Sequence, residues 1–336
     1  MNREKHNAGF GVAESVKLIE VSGLQKSFDG VEAVKGITFD INQGELFGFL
    51  GPNGAGKTTT INMLTGLARP DSGQVRIAGL DCSANPKASQ HLIGVVPDES
   101  NLYPELTGYD NLCFCASLYG MGKQERQSRA KKLLEQFGLQ QAAYRKFNGY
   151  SKGMKRKLTI AAGIIHRPEI LFLDEPTTGI DVASARQIRQ LISDLYQGGT
   201  TIFLTTHYIE EAERLCERIA FIVNGRIVRN ERVSTLLQPI QERKVLLIKV
   251  AGNIPGLTDK LAEAFPKYTF RQVSNQQLRV ESGDTISIGP VVRFIEEQGL
   301  DVTEARQIKP SLEEVFVEIT GIETDAMKRE RNGGRS

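Results

Sequence analysis

The nine residues Gly51-Pro52-Asn53-Gly54-Ala55-Gly56-Lys57-Thr58-Thr59 constrain this chain more than any other segment. They fit the phosphate-loop pattern, in which two glycines flank four residues and Lys-Thr follows. Their surroundings fit as well. Leu46, Phe47, Phe49 and Leu50 form a nearly continuous apolar run, the mark of a central strand buried on both faces. After Lys57, residues Ile61, Leu64 and Leu67 share one helical face, and Pro70 ends the element. A strand that runs through a glycine-rich turn into a helix sets an α/β core. It also aims backbone N–H groups and the positive end of a helix at an anion. Lys57 is expected to reach the β- and γ-phosphates of a nucleoside triphosphate, and the Thr58 hydroxyl to hold Mg²⁺.

A second chemical signal lies far downstream. Leu171-Phe172-Leu173 is another buried-strand run, and it ends in Asp174-Glu175-Pro176. Period two turns the adjacent acids to different sides. Asp174 is therefore expected to partner Mg²⁺, directly or through water, and Glu175 to orient and activate the attacking water. Between the two signals stands Ser151-Lys152-Gly153-Met154-Lys155, which opens a helix and reads as a second phosphate contact. One chain cannot easily fold that segment onto its own nucleotide, so it implies two copies facing each other.

The rest of the chain arranges itself around these signals. Val16, Leu18 and Val21, then Ile37, Phe39 and Ile41, alternate with period two as sheet. From Thr107 to about His166 the chain reads as helices. Thr107 is placed to cap the first, with Asp110 as its box partner, and Gly138 to stop a helix striped by Leu133, Leu134 and Phe137. Thr201 to Leu204 form a buried strand that runs into Thr205-Thr206-His207. Asn224-Gly225 between Phe221-Ile222-Val223 and Arg226-Ile227-Val228 is a hairpin signal. Composition shifts near Pro239. Beyond it the order is βαββαβα, that of a small ferredoxin-like domain whose last helix has Ser311 as expected cap and Glu314 as box partner. Both ends are polar. Residues 1–14 read as a flexible tail, and residues 323–336 as a basic one carrying Lys328, Arg329, Arg331 and Arg335.

With these motifs in this order, the sequence resembles the nucleotide-binding subunit of an ABC transporter over roughly Val16 to Val233. The resemblance implies a P-loop NTPase core with an antiparallel β subdomain and a helical subdomain at about residues 100–166, the whole spanning residues 15–237. A small α+β accessory domain follows at 240–322. Further roles come from the resemblance alone. Phe28 matches the aromatic that stacks on adenine. Ser151 and Gly153 match the signature segment, which in this family donates hydrogen bonds to the γ-phosphate held by the opposite subunit. Lys152 stands where a second glycine is usual, and Tyr150 where leucine is commoner. Gly179-Ile180-Asp181 matches the loop that links two sites across a dimer, and His207 the switch histidine at the γ-phosphate. Asp98 stands where the family normally has glutamine, in a loop that touches Mg²⁺ and the attacking water and meets the membrane subunit. Its side chain is shorter, anionic and unable to donate. The segment Pro310-Ser311-Leu312-Glu313-Glu314-Val315-Phe316 resembles the C-terminal extension of ABC subunits of bacterial exporters.

Composition bounds what these motifs can serve. A formal charge of +2 argues against a dedicated nucleic-acid binder. Four cysteines make no disulfide framework, which fits a reducing cytoplasm. The longest apolar stretch, Leu158 to Ile165, is far short of the roughly 20 residues that span a bilayer. A spanning part is therefore expected from another chain. The reading is an ATPase using ATP and Mg²⁺, peripheral on the cytoplasmic face of a bacterial inner membrane. It dimerises with a second copy and powers export through a separate permease. The alternative is a soluble ATPase of the same family in a nucleic-acid or ribosome-linked role. A third reading is a module that holds ATP without turnover.

Overall fold

The computed structural model describes residues 16–322 except Ser83, Glu242, Asn253, Pro255, Lys309 and Pro310. The two expected tails and Pro310 lie outside the described residues. Cα packing divides the chain into a first unit up to Asn230 and a second from Glu231 to Ala326. The first unit runs β1 (Lys17–Phe28), β2 (Val31–Asn42), β3 (Leu46–Leu50), α1 (Lys57–Leu64), β4 (Ser72–Ile77), β5 (Leu80–Asp81), α2 (Pro86–Leu92), β6 (Ile93–Val96), α3 (Gly108–Leu118), α4 (Lys123–Gln136) and α5 (Lys152–Gly163). It continues with β7 (Ile170–Asp174), α6 (Val182–Gln197), β8 (Thr201–Thr206), α7 (Ile209–Leu215), β9 (Arg218–Val223) and β10 (Arg226–Arg232).

Two sheets make this unit. The first, β2-β1-β4-β5, is antiparallel, and the second runs β10-β9-β3-β8-β7-β6. In the second sheet β6, β7, β8, β3 and β9 pair in parallel. Every residue of β3, β7 and β8 is buried, which is why those strands read as unbroken apolar runs rather than alternating ones. Between the sheets, Phe39 stacks on Phe47 at 5.6 Å and lies 6.1 Å from Phe203. Aromatic contacts of this kind add to area burial and fix the sheets' mutual position. Register levels the carboxyl ends of the central strands: Leu50 faces Thr206 on one side and Phe221 on the other, and Asp174 faces Thr205. In open α/β sheets that edge is where ligands bind.

Helices α3, α4 and α5 occupy the expected helical stretch. Thr107 accepts the Asp110 N–H at 3.0 Å and so caps α3 as expected, but the Asp110 carboxylate accepts from the Thr107 hydroxyl at 2.6 Å, where a full box would use the Thr107 amide. Gly138 ends α4 with φ of 64°. Asn224 and Gly225 both take positive φ in the turn between β9 and β10, as a two-residue hairpin of the favoured twist requires.

The second unit comprises α8 (Val233–Gln241), β11 (Lys244–Ala251), α9 (Leu257–Ala264), β12 (Thr269–Ser274), β13 (Gln277–Ser282), α10 (Ile288–Glu297), β14 (Asp301–Ile308) and α11 (Leu312–Thr320). Pro239 lies inside α8. The strands form one antiparallel sheet in the order β12-β13-β11-β14, with the βαββαβ connection of a split βαβ fold. Its core gathers Ile248, Leu261, Leu278, Val280, Val291 and Ile295. One expected detail is absent here. Ser311 makes no side-chain cap on α11, and the Glu314 carboxylate goes instead to Arg279 at 2.8 and 3.1 Å. A bidentate guanidinium is a stronger partner than one backbone amide.

Candidate nucleotide site

The phosphate loop begins where β3 ends, and three glycines let it follow its path. A Cβ on Gly51 would stand 2.1 Å from the Ile222 carbonyl oxygen, and one on Gly56 would stand 2.6 Å from that of Ala33. Gly54 and Gly56 both adopt positive φ, 77° and 103°, which side chains resist. The loop is also held from outside. The Gly225 amide in the β9–β10 turn donates to the Ala55 carbonyl at 3.1 Å, and the Lys35 amide donates to the Gly225 carbonyl at 2.8 Å. A Cβ on Gly225 would come within 2.7 Å of the same Ala33 oxygen.

Helix α1, strands β7 and β8 and the turns that follow those strands send side chains to this edge. Lys57, buried at the start of α1, donates to the carbonyls of Gly51 at 2.8 Å and Pro52 at 3.1 Å, and lies 3.2 Å from Glu175 Oε1. Thr58 donates to Asp174 Oδ2 at 2.9 Å, and Thr205 donates to the other oxygen. Glu175 sits just past β7 with φ of 48°, so the chain turns sharply there and the two adjacent acids part. Its amide donates to the Thr205 carbonyl at 3.1 Å. Oε2 of Glu175 accepts from Thr178 at 3.0 Å and from His207 Nδ1 at 2.7 Å. A carboxylate only accepts, so Nδ1 carries the proton. Oε1 has its ion pair with Lys57 but accepts no aligned hydrogen bond among the described residues. Burial pushes the Glu175 carboxyl up. The His207 bond and the charges of Lys57 and His207 outweigh that and hold it below the usual carboxylate range. It is therefore ionised at neutral pH.

The residues fit a divalent cation. The Thr58 hydroxyl and the Asp174 carboxylate converge, and both are hard oxygen donors suited to Mg²⁺. Among the described residues, no three His, Cys, Asp or Glu side chains group into a metal cage. That matches a Mg²⁺ held by one or two protein oxygens together with substrate phosphates.

The remaining expected residues lie around this centre. Ser151 is exposed and caps α5, accepting the Met154 amide at 3.3 Å. Gly153 packs against α6: a Cβ there would stand 2.4 Å from Ser184 Oγ. Asp181 caps α6 by accepting the Ser184 amide at 2.9 Å, and the bonds from Ser184 hold its carboxyl low. Phe28 ends β1 half exposed, with the Lys26 ammonium 5.3 Å from its ring centre. The Asp98 carboxylate lies 3.6 Å from Arg156 Nη2 on α5.

Three supporting residues escaped the sequence reading. Thr178 holds Glu175 Oε2. Glu211 on α7 accepts from Thr177 at 2.8 Å. Arg156 was hidden between Lys155 and Lys157. Its spacing to Thr159, Ile160 and Gly163, all buried, places it on the inner face of α5, and that periodicity was the available signal.

Comparison with known proteins places these features in company. The family model described as ABC transporter matches residues 34–178. The daunorubicin/doxorubicin resistance ATP-binding protein DrrA of Streptomyces peucetius is 35% identical over 315 residues, 93% of this chain and 95% of that one. The Nod factor export ATP-binding protein I of Burkholderia lata is 36% identical over 306 residues, 91% of this chain and 97% of that one. Among solved structures, the dimeric post-hydrolysis ATP-binding cassette MJ0796 bound to ADP and Pi aligns with a TM-score of 0.59 at 28% identity. The alignment covers 64% of this chain and 98% of that one. Among the described residues no helix is long and apolar enough to cross a membrane.

Proposed function

The chain belongs to the ABC transporter family of ATP-binding subunits, and we propose that two copies clamp two ATP–Mg²⁺ between them and hydrolyse them to power export through a separate permease. The observation that carries this reading is the convergence of Lys57, Asp174, Glu175 and His207 at one end of the central sheet. The names of the relatives, a drug-resistance and a Nod factor export ATP-binding protein, favour export over a role on nucleic acid. The dimeric MJ0796 structure supports pairing of two copies.

In this reading each residue has a separate task. Gly51 to Thr59 wrap the phosphates with backbone N–H groups, and Lys57 neutralises the β- and γ-phosphates. Thr58 and Asp174 hold the Mg²⁺, which supplies charge stabilisation at the phosphates. Glu175, ionised and with Oε1 open to a donor, takes the proton of the attacking water. His207 steadies Glu175 through Nδ1 and faces the γ-phosphate. Phe28 stacks on adenine. Exposed Ser151 and, behind it, Gly153 at the opening of α5 serve the triphosphate of the other copy, and Asp181 links the two sites. As the partner of a separate permease, a role in keeping with the export and resistance ATP-binding proteins it resembles, the subunit sits peripherally on the cytoplasmic face of the inner membrane. Exposed Tyr103, Phe114 and Leu118 on and before α3 offer the permease an apolar surface.

The test is a Glu175→Gln variant on a sizing column. With saturating ATP it should elute as a dimer, and turnover should fall roughly 10²- to 10⁴-fold, the usual worth of a general base. A monomer at saturating ATP would refute the clamp. Lys57→Ala should abolish turnover, and Ser151→Ala should slow it while leaving nucleotide binding by the monomer intact.

A further inference from the structure

Arg156 has no task in the scheme above, yet it is 7% exposed on the helix that Ser151 opens. A buried guanidinium needs its donors satisfied and its charge met. Both come from the loop that follows β6, far away in sequence. Nη1 donates to the Pro97 carbonyl at 2.6 Å, Nη2 donates to the Asp98 carbonyl, and the Asp98 carboxylate lies 3.6 Å from Nη2. A second tie stands three residues along the same face of α5. Thr159 donates to the Lys155 carbonyl at 2.9 Å, so in its 2.7 Å contact with Ser100 it accepts, and Ser100 donates. The loop from Pro97 to Ser100 is thus fastened to α5 at two points.

We propose that Arg156 and Asp98 form a lock that makes this loop travel with the signature helix, and that Asp98 serves the lock rather than the Mg²⁺. The proposal rests on the nucleotide reading for its consequence: when Ser151 moves toward the partner's triphosphate, the loop beside the permease surface moves with it. The charge at position 98 has a reason in this arrangement. A glutamine there would leave the buried guanidinium without its nearest counter-charge, and removing one member of such a pair is costly. Burial pushes the Arg156 guanidinium down, while the charges of Asp98, Asp174 and Glu175 hold it up, so it remains a cation in a field of acids. Arg156 is a positioning residue: it acts on the site through the loop and the helix.

The test uses the full chain and two readouts. Amide hydrogen exchange of residues 98–100 is followed by mass spectrometry without nucleotide. Mg²⁺ half-saturation is read from the binding of a fluorescent ATP analogue. Asp98→Ala and Arg156→Lys should each speed exchange of the loop about tenfold, as loss of one charge-assisted bond does. The double variant should exchange no faster than the faster single, because both remove the same interaction. Asp98→Glu keeps the charge and should exchange near the wild-type rate. Mg²⁺ half-saturation in Asp98→Ala should stay within about twofold of wild type, since perturbing a metal site typically costs tenfold or more. Unchanged exchange in Asp98→Ala, additive exchange in the double variant, or a tenfold rise in Mg²⁺ half-saturation would each overturn the lock. The exchange arm needs no nucleotide. Failure of the wild-type protein to bind the analogue would therefore sink the ATP reading and leave the lock to be judged on exchange alone.

Discussion

Glu211 is a carboxyl with 2% exposure that feels the charge of Glu175 and meets Thr177 through one oxygen. Its other oxygen accepts no hydrogen bond among the described residues. Burial is the chief cause that raises its carboxyl above the ordinary range, and the bonds from Thr177 and Thr206 only partly oppose it. A group raised in the folded state contributes stability that is fully present below its unfolded value, near 4.3, and lost as pH climbs through its folded value. Glu211→Gln removes that dependence. Urea midpoints should therefore show the variant gaining on wild type as pH rises above the unfolded carboxyl value, near 4.3, and through the raised folded one. A constant difference across that range would show that Glu211 does not titrate there. Glu175 has the opposite sign. Its carboxyl is held low, so its contribution is present above the unfolded value and fades as pH falls through the folded one. Both trends come from surroundings rather than residue type. That is why the sequence marked Glu175 by its strand and motif but was silent on Glu211, whose neighbours Ile209 and Ala212 are merely buried.

Two helix openings meet where Gly153 faces Ser184. A Cβ on Gly153 would stand 2.7 Å from Ser184 Cβ, too close without a shift of α5 against α6. Gly153→Ala should therefore destabilise the first unit by about 1–3 kcal/mol, the usual cost of overpacking. It should also slow ATP turnover, because Ser151 rides on the same turn. Adding Ser184→Gly should recover most of both losses, as measured by denaturant midpoint and steady-state turnover. Elements of this kind were readable where the signal is local. Thr107 with Asp110, Gly138 and the Asn224-Gly225 hairpin all act within a few residues. Ser311 with Glu314 carried the same local signal, but Arg279, from a strand 35 residues away, took the glutamate. The ties of Pro97, Asp98 and Ser100 to α5 span 58 or 59 residues. No periodicity reports such a distance.

The order of motifs made the larger design legible: a buried strand, a phosphate loop and a pair of acids allow few arrangements other than a parallel sheet with its site at the carboxyl edge. Each unit encloses its own apolar core, one around Phe39, Phe47 and Phe203 and the other around Ile248 and Leu278. A ligand that binds only the native first unit stabilises that unit, by about 2.7 kcal/mol at a hundred times its dissociation constant. Calorimetry with ATP and Mg²⁺ should accordingly raise the transition of the first unit while leaving that of the second in place. A shift of both together would mean that they unfold as one. The hairpin turn at Gly225 also has a practical corollary. Short surface turns are the usual choice for inserting a peptide tag or a fluorophore loop. This one bonds Ala55 through its amide and Lys35 through its carbonyl, so the glycine-rich loop after β3 leans on it. A tag grafted there would disturb that loop directly, because the turn stands at the same edge of the sheet.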